Sequence, residues 1–497
     1  MNRKSKTQTS CAVGVCLMMV ATAAAQPFTV VYTEIPGHPT AAVPGVPGEE
    51  FTGLLELAGS PSGNHWIFKG FTTAVSAAND VMVAGSGDTG VTVAKEGDAA
   101  PVDGLTYGFM DSDCGINDSG LYAFGNRLSG GPTTTDEVIF VYNGEGLVAA
   151  AREGDPAPGL TDNPPGAAGD ELFGNSLNSA HVLADGTVAF RADLIQNIAT
   201  AFRSALYHGS AVQAQEGTMI DGFTIDSFAA LAGNTFSSDP TGLHWIVEAD
   251  TDPSALNNTE SVVVDGVLQF RDGDILPGLG SGVTDIFGVN MAGNGDWFAR
   301  GESAVDVGWV IRNGVVLATL ADPITPGSFE VFVTPATGTT FFTARGHRYG
   351  DYLIGGLTNA DPTTDAVLVL NGLRVVAREG DAVDLDGNGM ADDDAFINSF
   401  NADSAFVDDW RVLHLFVTLR NGAGTSLGDA FLREDVHVPG DDDGDGDVDL
   451  PDYANVADCL SGPGGGPVAP ACRFLDLDQN SDVDLADAGA WFNLFAP

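Results

Sequence analysis

The feature that most constrains the fold is a turn followed by a short apolar strand, which recurs along most of the chain. The copies read SGNHWIFKG, NDSGLYAFGN, LADGTVAFRAD, TGLHWIVEAD, NGDWFARG, YGDYLIGG and VDDWRVLHLF. Their turn residues are Gly63, Gly120, Gly186, Gly242, Gly295, Gly350 and Asp409. Successive turn residues lie 57, 66, 56, 53, 55 and 59 residues apart, a spacing typical of folds in which each repeat is one supersecondary unit.

A second element completes most repeats: a hydrophobic strand, a tight turn such as Asn143-Gly144 or Asn371-Gly372, and a strand that ends in an acidic glycine turn. Asn-Gly between alternating apolar runs is a strong hairpin signal. Four short strands per repeat, with almost no helical periodicity, predict an all-β protein with a seven-bladed β-propeller. Six or eight blades also fit the spacing, and the N-terminal strand FTVVYTE could complete the last blade.

The acidic glycine turns carry Glu and Asp pairs that look like the paired carboxylates of a glycoside hydrolase. The pairs are Glu96 and Asp98, Glu153 and Asp155, and Glu379 and Asp381. Because they share one repeat position, we interpret them as structural turns, since catalysis needs one asymmetric constellation. Tryptophans at another repeat position are interpreted as blade packing: Trp66, Trp245, Trp297 and Trp410. The sequence therefore predicts no catalytic residue.

The N-terminus predicts export. Arg3, Lys4 and Lys6 precede an apolar stretch at residues 11–21 and a run of small residues that ends at Ala25. This pattern is typical of a secretory signal peptide cleaved near Ala25. The apolar stretch is shorter than the roughly 20 residues that a membrane span needs, so we expect no membrane insertion. We predict a signal peptide at 1–25, a propeller at 26–438 and a separate module at 439–497, in a secreted or cell-surface protein.

The charge of the chain limits its partners. It has 68 acidic and 20 basic residues, a formal net charge of −48. Such a chain repels nucleic acid and anionic membranes, so neither is expected as a partner. Thirteen of the acidic residues, all Asp, lie in residues 441–497 beside a single Arg.

These C-terminal Asp residues form two copies of one pattern, DDDGDGDVDLPD and DLDQNSDVDLAD. Calcium prefers six to eight oxygen ligands, and a 12-residue loop with oxygens at positions 1, 3, 5, 7, 9 and 12 wraps them around one ion, with position 7 contributing its carbonyl. We therefore predict two calcium ions and a tail that folds when they bind, because the carboxylates repel one another without them. The predicted ligands are Asp441, Asp443, Asp445, Asp447, Asp449, Asp452, Asp476, Asp478, Asn480, Asp482, Asp484 and Asp487.

Each loop is followed by a short helical pattern, LPDYANVADCL and LADAGAWFNLFAP, and a Pro/Gly-rich linker separates the two units. This arrangement resembles the dockerin family, in particular the dockerin-like modules at the C-termini of secreted planctomycete proteins. The resemblance implies docking onto a cohesin-like scaffold or surface protein. Ser481 departs from the pattern, because loop position 6 is usually Gly and favours positive φ.

Two further features concern metals and cysteines. The insertion DLDGNGMADDD places Asp384, Asp386, Asn388 and Asp392 at calcium-loop positions 1, 3, 5 and 9, but position 12 is Ala395. A third calcium site and an acidic surface loop are both consistent with this pattern. Cys459 and Cys472 flank a turn-rich stretch and could form a disulfide. Cys114 is interpreted as a buried apolar residue, without deciding whether its thiol is free.

Two classes of function remain for the propeller. Its repeats resemble secreted proteins with tandem N-x-x-G-x-x-x-F repeats, whose C-terminal sorting modules vary. We favour a noncatalytic module that binds a carbohydrate or a protein and is displayed through the dockerin-like tail. The alternative is a polysaccharide hydrolase or lyase attached to a scaffold by the same tail; the absence of an unrepeated catalytic cluster in the sequence argues against it.

Overall fold

The computed structural model describes residues 27–102, 104–160, 170–195, 203–228, 235–251, 260–304, 307–335, 338–462, 468, 470–477 and 482–494. The predicted signal peptide, residues 1–25, lies outside this part of the chain. The described residues form a seven-bladed β-propeller, which confirms the fold predicted from the repeats, and two C-terminal α-helices follow it. No described helix is both long and apolar enough to cross a membrane.

Blades 1 to 6 follow one another along the chain, and one strand of each lines the propeller axis: the first strand of the blade, except in blade 4, where it is the strand at residues 236–238. Blade 1 contains β2 (Phe51–Gly59), β3 (Trp66–Thr72), β4 (Asp80–Ser86) and β5 (Thr89–Lys95); blade 2 contains β6 (Thr106–Ile116), β7 (Tyr122–Ser129), β8 (Glu137–Tyr142) and β9 (Leu147–Arg152). Blade 3 contains β10 (Leu172–Val182), β11 (Val188–Ile195), β12 (Ser204–His208) and β13 (Ala211–Gln215). Blade 4 contains β14 (Met219–Ile220), β15 (Phe223–Phe228), β16 (Phe236–Ser238), β17 (Trp245–Thr251), β18 (Glu260–Val264) and β19 (Val267–Arg271). Blade 5 contains β20 (Val283–Met291), β21 (Trp297–Ser303), β22 (Val307–Arg312) and β23 (Val315–Thr319); blade 6 contains β24 (Phe341–Gly346), β25 (Tyr352–Leu357), β26 (Ala366–Leu370) and β27 (Arg374–Arg378).

Blade 7 combines both ends of the propeller sequence. Its strands are β29 (Phe396–Val407), β30 (Val412–Arg420), β31 (Ser426–Asp435) and the N-terminal β1 (Phe28–Thr33), with β28 (Val383–Asp384) parallel to β1 at the outer edge. The N-terminal strand pairs antiparallel with β31, with Thr29 opposite Arg433 and Thr33 opposite Ala430. The strand FTVVYTE therefore completes the last blade and closes the ring.

The acidic glycine turns join each blade to the next. The N–H of Gly97 donates to the carbonyl of Tyr107 at 2.8 Å, and the N–H of Tyr107 donates back to the carbonyl of Asp98 at 2.9 Å. Gly154 and Phe173 are linked in the same way between blades 2 and 3. These contacts give the repeated Glu and Asp pairs a structural role at the blade junctions.

The repeated turn before each second strand holds a residue with positive φ. Six of the seven are Gly63, Gly120, Gly186, Gly242, Gly295 and Gly350. In blade 7 the equivalent residue is Arg411, with φ +57, whose N–H donates to the carbonyl of Asp408 as the glycine N–H groups do in their own turns. The prediction that Asp409 is the turn residue of blade 7 was therefore wrong by two positions. The expectation for Trp410 was also wrong: it lies in this turn and is 55% exposed, whereas the other three tryptophans begin buried strands.

The tail forms a small core of its own. Helix α1 (Leu450–Cys459) follows loop one, helix α2 (Leu485–Leu494) follows loop two, and a short 3-10 helix (Pro470–Leu475) lies between them. Cys459 and Cys472 form a disulfide with their Cα atoms 5.5 Å apart. The buried side chains between the helices are Val448, Val456, Leu475, Val483 and Trp491. The remaining cysteine of the described residues, Cys114, is buried with a free thiol.

Candidate functional site

Loop one of the tail, residues 441–452, brings its carboxylates together. Oxygens of Asp441, Asp443 and Asp452 lie within 4.8 Å of one another, and oxygens of Asp447 and Asp449 form a second such group with Asp452. Asp441 and Asp452 are each 1% exposed. Burial raises the pKa of Asp441 to about 6, although the charge of Arg411 opposes this shift. Most of the predicted ligand set of loop one therefore converges.

Backbone N–H groups hold loop one around its two buried carboxylates. Gly444 and Gly446 donate to Asp441 at 2.6 and 3.0 Å, and Asp442 and Asp449 donate to Asp452 at 2.7 and 2.8 Å. Gly446 has φ +98, the conformation expected at loop position 6. The loop is thus closed at both ends by hydrogen bonds to its first and last Asp.

Loop two, residues 476–487, follows the same plan where it is described. Asp482, Asp484 and Asp487 bring carboxylate oxygens within 4.8 Å of one another. The N–H groups of Leu477 and Asp484 donate to Asp487 at 2.7 and 2.9 Å, as their counterparts in loop one do to its last Asp. The predicted residues outside the described part of the chain are Asp478, Asn480 and Ser481.

The insertion in blade 7 also has the hydrogen bonds of loop one. Asp384, which is 1% exposed, accepts from Gly387 and Gly389 at 2.8 and 2.7 Å. Asp393 accepts from the N–H groups of Leu385 and Asp386 at 2.7 and 3.0 Å, the hydrogen bonds that Asp452 accepts from Asp442 and Asp443 in loop one. The residues that converge within 4.8 Å are Asp384, Asp386 and Asp393. Sequence reasoning chose Asp392 and missed Asp393 because it assumed the spacing of a 12-residue loop.

The tail is seated on blades 6 and 7 through Arg411. Its guanidinium donates to the backbone carbonyls of Asp441 and Asp442 in loop one, at 2.7 and 2.8 Å. The same side chain, 3% exposed, forms an ion pair of 3.0 Å with Asp351. Asn371 donates to the carbonyl of Asp443 at 3.1 Å. Loop one is therefore built against the propeller rather than displayed away from it.

A second contact comes from the 3-10 helix of the tail. Arg473 pairs with Asp351 at 3.3 Å and donates to the carbonyl of Asp409. Burial tends to raise the pKa of Asp351, but the hydrogen bonds and charges of Arg411 and Arg473 hold it below its usual value. The ring of Phe474 lies against both guanidinium groups, 4.1 and 3.9 Å from the carbon atoms of Arg411 and Arg473. One buried carboxylate thus joins the tail to the propeller.

The second candidate region is the axial channel, a cavity of about 150 Å³. In every blade the inner strand pairs with the next strand along the sheet, and the residue that precedes the last paired residue of the inner strand lines the channel. We call these seven residues, one from each blade, the channel ring. In blades 3 to 6 they are His181, Ser237, Asn290 and Arg345. In blades 7, 1 and 2 they are Phe406, Ala58 and Gly115. One side of the ring is polar and the other is apolar.

Carboxylates approach the channel at irregular points of the inner strands. The pairing register shifts between Leu55 and Leu57, at Glu56, which has φ +46. Ser179 and Asp403 also lie in irregular stretches, with φ +54 and +55. Glu56 and Asp113 line the cavity, and Asp113 accepts from the N–H of Ser179 at 3.0 Å. Bulges of this kind redirect side chains, and residues with unusual φ cluster at functional sites.

Ion pairs join different blades near the channel. Arg300 reaches across Gly288, where an added Cβ would lie 3.4 Å from its guanidinium, and binds Asp403 of blade 7 at 2.5 Å. At the end where the inner strands finish, Arg348 pairs with Asp118 of blade 2 at 2.7 Å and also with Asp409. We call Arg348 and its two carboxylate partners the cap.

Sequence reasoning missed the whole channel. The candidate catalytic groups were sought in conspicuous sequence motifs, and the channel ring residues belong to no such motif. Their only sequence signal is that a position fixed by the repeat carries a different residue in every blade. This signal can be read only when the inner strands are aligned, and their bulges disturb that alignment.

Comparisons with known proteins match the chain to one family and to several solved structures. Residues 65–285 match a family of unknown function (DUF7453). No curated protein matches the chain. Among solved structures, the propeller domain of the Trilobed protease from Pyrococcus furiosus is 8% identical with a TM-score of 0.37, over 76% of this chain and 94% of that one. The Dos1 propeller is 8% identical with a TM-score of 0.34, over 78% and 93%, and a fucose-specific lectin from Aleuria aurantia is 13% identical with a TM-score of 0.25, over 52% and 76%. Similarities of this size carry no information about ligands.

Proposed function

We propose that this protein is a secreted or cell-surface binding protein. In this proposal the propeller is a noncatalytic binding module, and the tail is a calcium-dependent, dockerin-like module that attaches it to a cohesin-like partner. The observation that carries the proposal is the convergence of the Asp side chains of loop one around a point enclosed by their own backbone. Oxygen ligands in this number and spacing suit calcium.

The residues proposed to hold the first ion are those of loop one, with Asp452 as the ligand that closes the loop. Asp487 has the same role in loop two, and Asp393 in the blade 7 insertion, where a third ion is proposed. Calcium would supply the positive charge that offsets the repulsion between these carboxylates, so its binding energy contributes to folding. Magnesium should substitute poorly, because it requires near-octahedral geometry and shorter bonds.

The repeated Glu and Asp pairs support the noncatalytic alternative over the hydrolase or lyase. Their backbone groups are used in joining blades. Burial, more than the adjacent Asp365, raises the pKa of Glu379 to about 7, but the same turn recurs at other blade junctions. A turn that each junction needs is explained by the fold alone.

Calorimetric titration of the full chain with calcium tests the metal proposal. Asp452→Asn should remove the tightest binding event or weaken it roughly tenfold or more, because a closing ligand loses its charge. Asp442→Asn is the matched control, since it removes the same charge from position 2 of the same loop, which is not a ligand position. Equal affinities in the two variants, or no heat of binding in the unchanged protein, would contradict a calcium site in loop one.

A further inference from the structure

We infer that the axial channel is a binding site for a neutral saccharide unit, with Arg345 as the residue that anchors it. The inference deepens the proposed function, because it names a ligand class for the propeller and relies on the propeller being a binding module. It does not depend on calcium in the tail. Its starting point is the channel ring, which the fold places identically in every blade but which the sequence fills differently.

A residue that serves only the fold should recur in every blade, as the turn glycines do. The channel ring does the opposite, with seven different residues at seven equivalent positions. The glycine turns and acidic turns repeat because each blade needs them, which is why the acidic pairs are structural. The ring is therefore the part of the propeller that is specific to this protein.

Three polar ring residues have a structural explanation, and the fourth has none. His181 bonds the carbonyl of Phe236 in the next blade at 2.9 Å. Ser237 and Asn290 each accept a backbone N–H from the blade that follows, at 3.1 and 3.3 Å. Arg345 makes no such contact: its side chain lines the cavity, and its buried Nε has no hydrogen-bond partner among the described residues. A guanidinium without acceptors costs free energy, and a ligand acceptor in the cavity would pair with its other N–H groups.

The charges around the channel favour a neutral ligand. Burial lowers the pKa of Arg345, while the carboxylates of Asp403 and Glu56 attract its positive charge. An anion would meet Glu56 and Asp113 in the same cavity, within a chain of net charge −48. A cation would meet Arg345. Hydroxyl groups both donate and accept, so a polyol can bind the guanidinium and the carboxylates together.

The shape of the polar surface favours a sugar over other neutral polyols. The polar ring residues come from four consecutive blades, and the apolar ones come from the other three, where the carboxylates of Glu56 and Asp113 also line the cavity. Both faces of the Phe406 ring are covered, by Gly59, where an added Cβ would lie 2.7 Å from the ring, and by His414, which stacks on it at 4.8 Å, so neither face is open to a ligand. A pyranose carries hydroxyls around its edge and C–H groups on its faces, and a small cavity with hydrogen-bonding groups on several sides and apolar residues between them suits that arrangement.

The ligand would enter by displacing the cap. Arg348 and Asp118 have side chains that are 28% and 36% exposed. Solvent screens a partly exposed pair of this kind, so separating Arg348 from Asp118 costs little, while Arg348 keeps its pair with Asp409. Once the ligand is inside, the cap excludes water and strengthens its hydrogen bonds.

The test is a thermal-shift and calorimetric screen of the full chain, with a chelator and with calcium, against methyl glycosides of glucose, galactose, mannose, xylose and fucose. Glucuronate and glucosamine serve as the anionic and cationic counterparts. At least one neutral glycoside should raise the melting temperature in both conditions and bind more tightly than either charged sugar. Arg345→Met should weaken that binding roughly tenfold or more, and Arg127→Gln, which changes an arginine on the outside of blade 2, should leave it unchanged.

Stability separates a ligand role for Arg345 from a structural one. If Arg345 only supported the fold, Arg345→Met would lower the melting temperature of the free protein. Because Arg345 has no hydrogen bond to lose and Asp403 keeps its ion pair with Arg300, we expect the free variant to melt close to the unchanged protein. A destabilised Arg345→Met variant, tighter binding of a charged sugar, or no binding of any neutral glycoside would overturn the inference. Calcium binding by the tail is measured separately, so its loss would count against the proposed tail and not against the channel.

Discussion

Arg411 occupies the one blade turn in which the repeated glycine is missing, and it is the residue that holds the tail. A non-glycine residue with positive φ costs about 1–2 kcal/mol. Here the backbone strain is accompanied by hydrogen bonds to two carbonyls of loop one and an ion pair with Asp351. We conclude that this turn departs from the repeat because it serves the interface with the tail.

Two substitutions at this position separate the strain from the contacts. Arg411→Ala should lose the contacts and keep the strain, whereas Arg411→Gly should lose both and be more stable than the Ala variant by about 1 kcal/mol. Urea unfolding of the full chain measures the difference. Hydrogen exchange in loop one should accelerate in both variants. Equal stabilities of the Ala and Gly variants would show that the positive φ carries no cost. Unchanged slow hydrogen exchange in loop one would show that the contact between the tail and the propeller does not depend on Arg411.

Among the individual elements, the short strand β1 has a large effect on the stability of the propeller. It lies far from β31 in sequence, yet it supplies the strand that closes blade 7, and Tyr32 packs edge-on against Phe51 and Trp66 of blade 1. Without β1, β31 would present an unpaired edge.

A chain that lacks residues 27–35 should therefore melt at a lower temperature than the full chain. A synthetic peptide of residues 27–35 should restore much of the loss, because strand addition replaces the missing backbone hydrogen bonds. The same peptide with Pro in place of Val30 is the control and should restore less. Unchanged melting on deletion, or equal rescue by both peptides, would contradict this role for β1.

The elements also show what the sequence could reveal. The blades were predictable because turn glycines and acidic turns recur, and the closing strand was predictable because its apolar pattern had no other partner. The turn of blade 7 was predicted two residues too early, at Asp409, because Arg411 occupies the position where the other blades have glycine. Asp393 was missed because its role depends on the path of the loop. The channel ring could not be seen, because residues brought together across seven blades share no local pattern.

At the scale of the whole molecule, many acidic groups are buried. Burial, with nearby carboxylates, raises the pKa of Glu248 to about 8, and burial and Asp381 raise that of Glu434 to about 8. A carboxyl whose pKa is raised in the folded state favours folding while it is protonated, and this contribution is lost as the pH rises toward the folded-state value. Buried histidines with lowered pKa values, His181 and His414 among them, have the opposite effect. Below about pH 6.5 they take up protons more readily in the unfolded state, so in that range their contribution to stability rises with pH.

We therefore expect the free energy of unfolding, measured in chelator, to fall between about pH 6.5 and 8, where the acidic groups titrate and the histidines no longer do. One such group contributes up to about 1.4 kcal/mol per pH unit. Glu248→Gln should make the decline shallower, while Glu145→Gln, on an exposed turn, should not. Stability that is flat or rises over this range would contradict the prediction.

The turn at residues 347–351 meets the tail and the cap at once. Arg348 belongs to the cap, and Asp351, three residues later, receives both arginines that hold the tail. Tyr349 lies between them, with the guanidinium carbons of Arg348 and Arg473 at 4.9 and 4.7 Å from its ring. If the tail is tethered as proposed, part of the mechanical tension on it would enter the propeller through Asp351, in the same turn as the arginine of the cap.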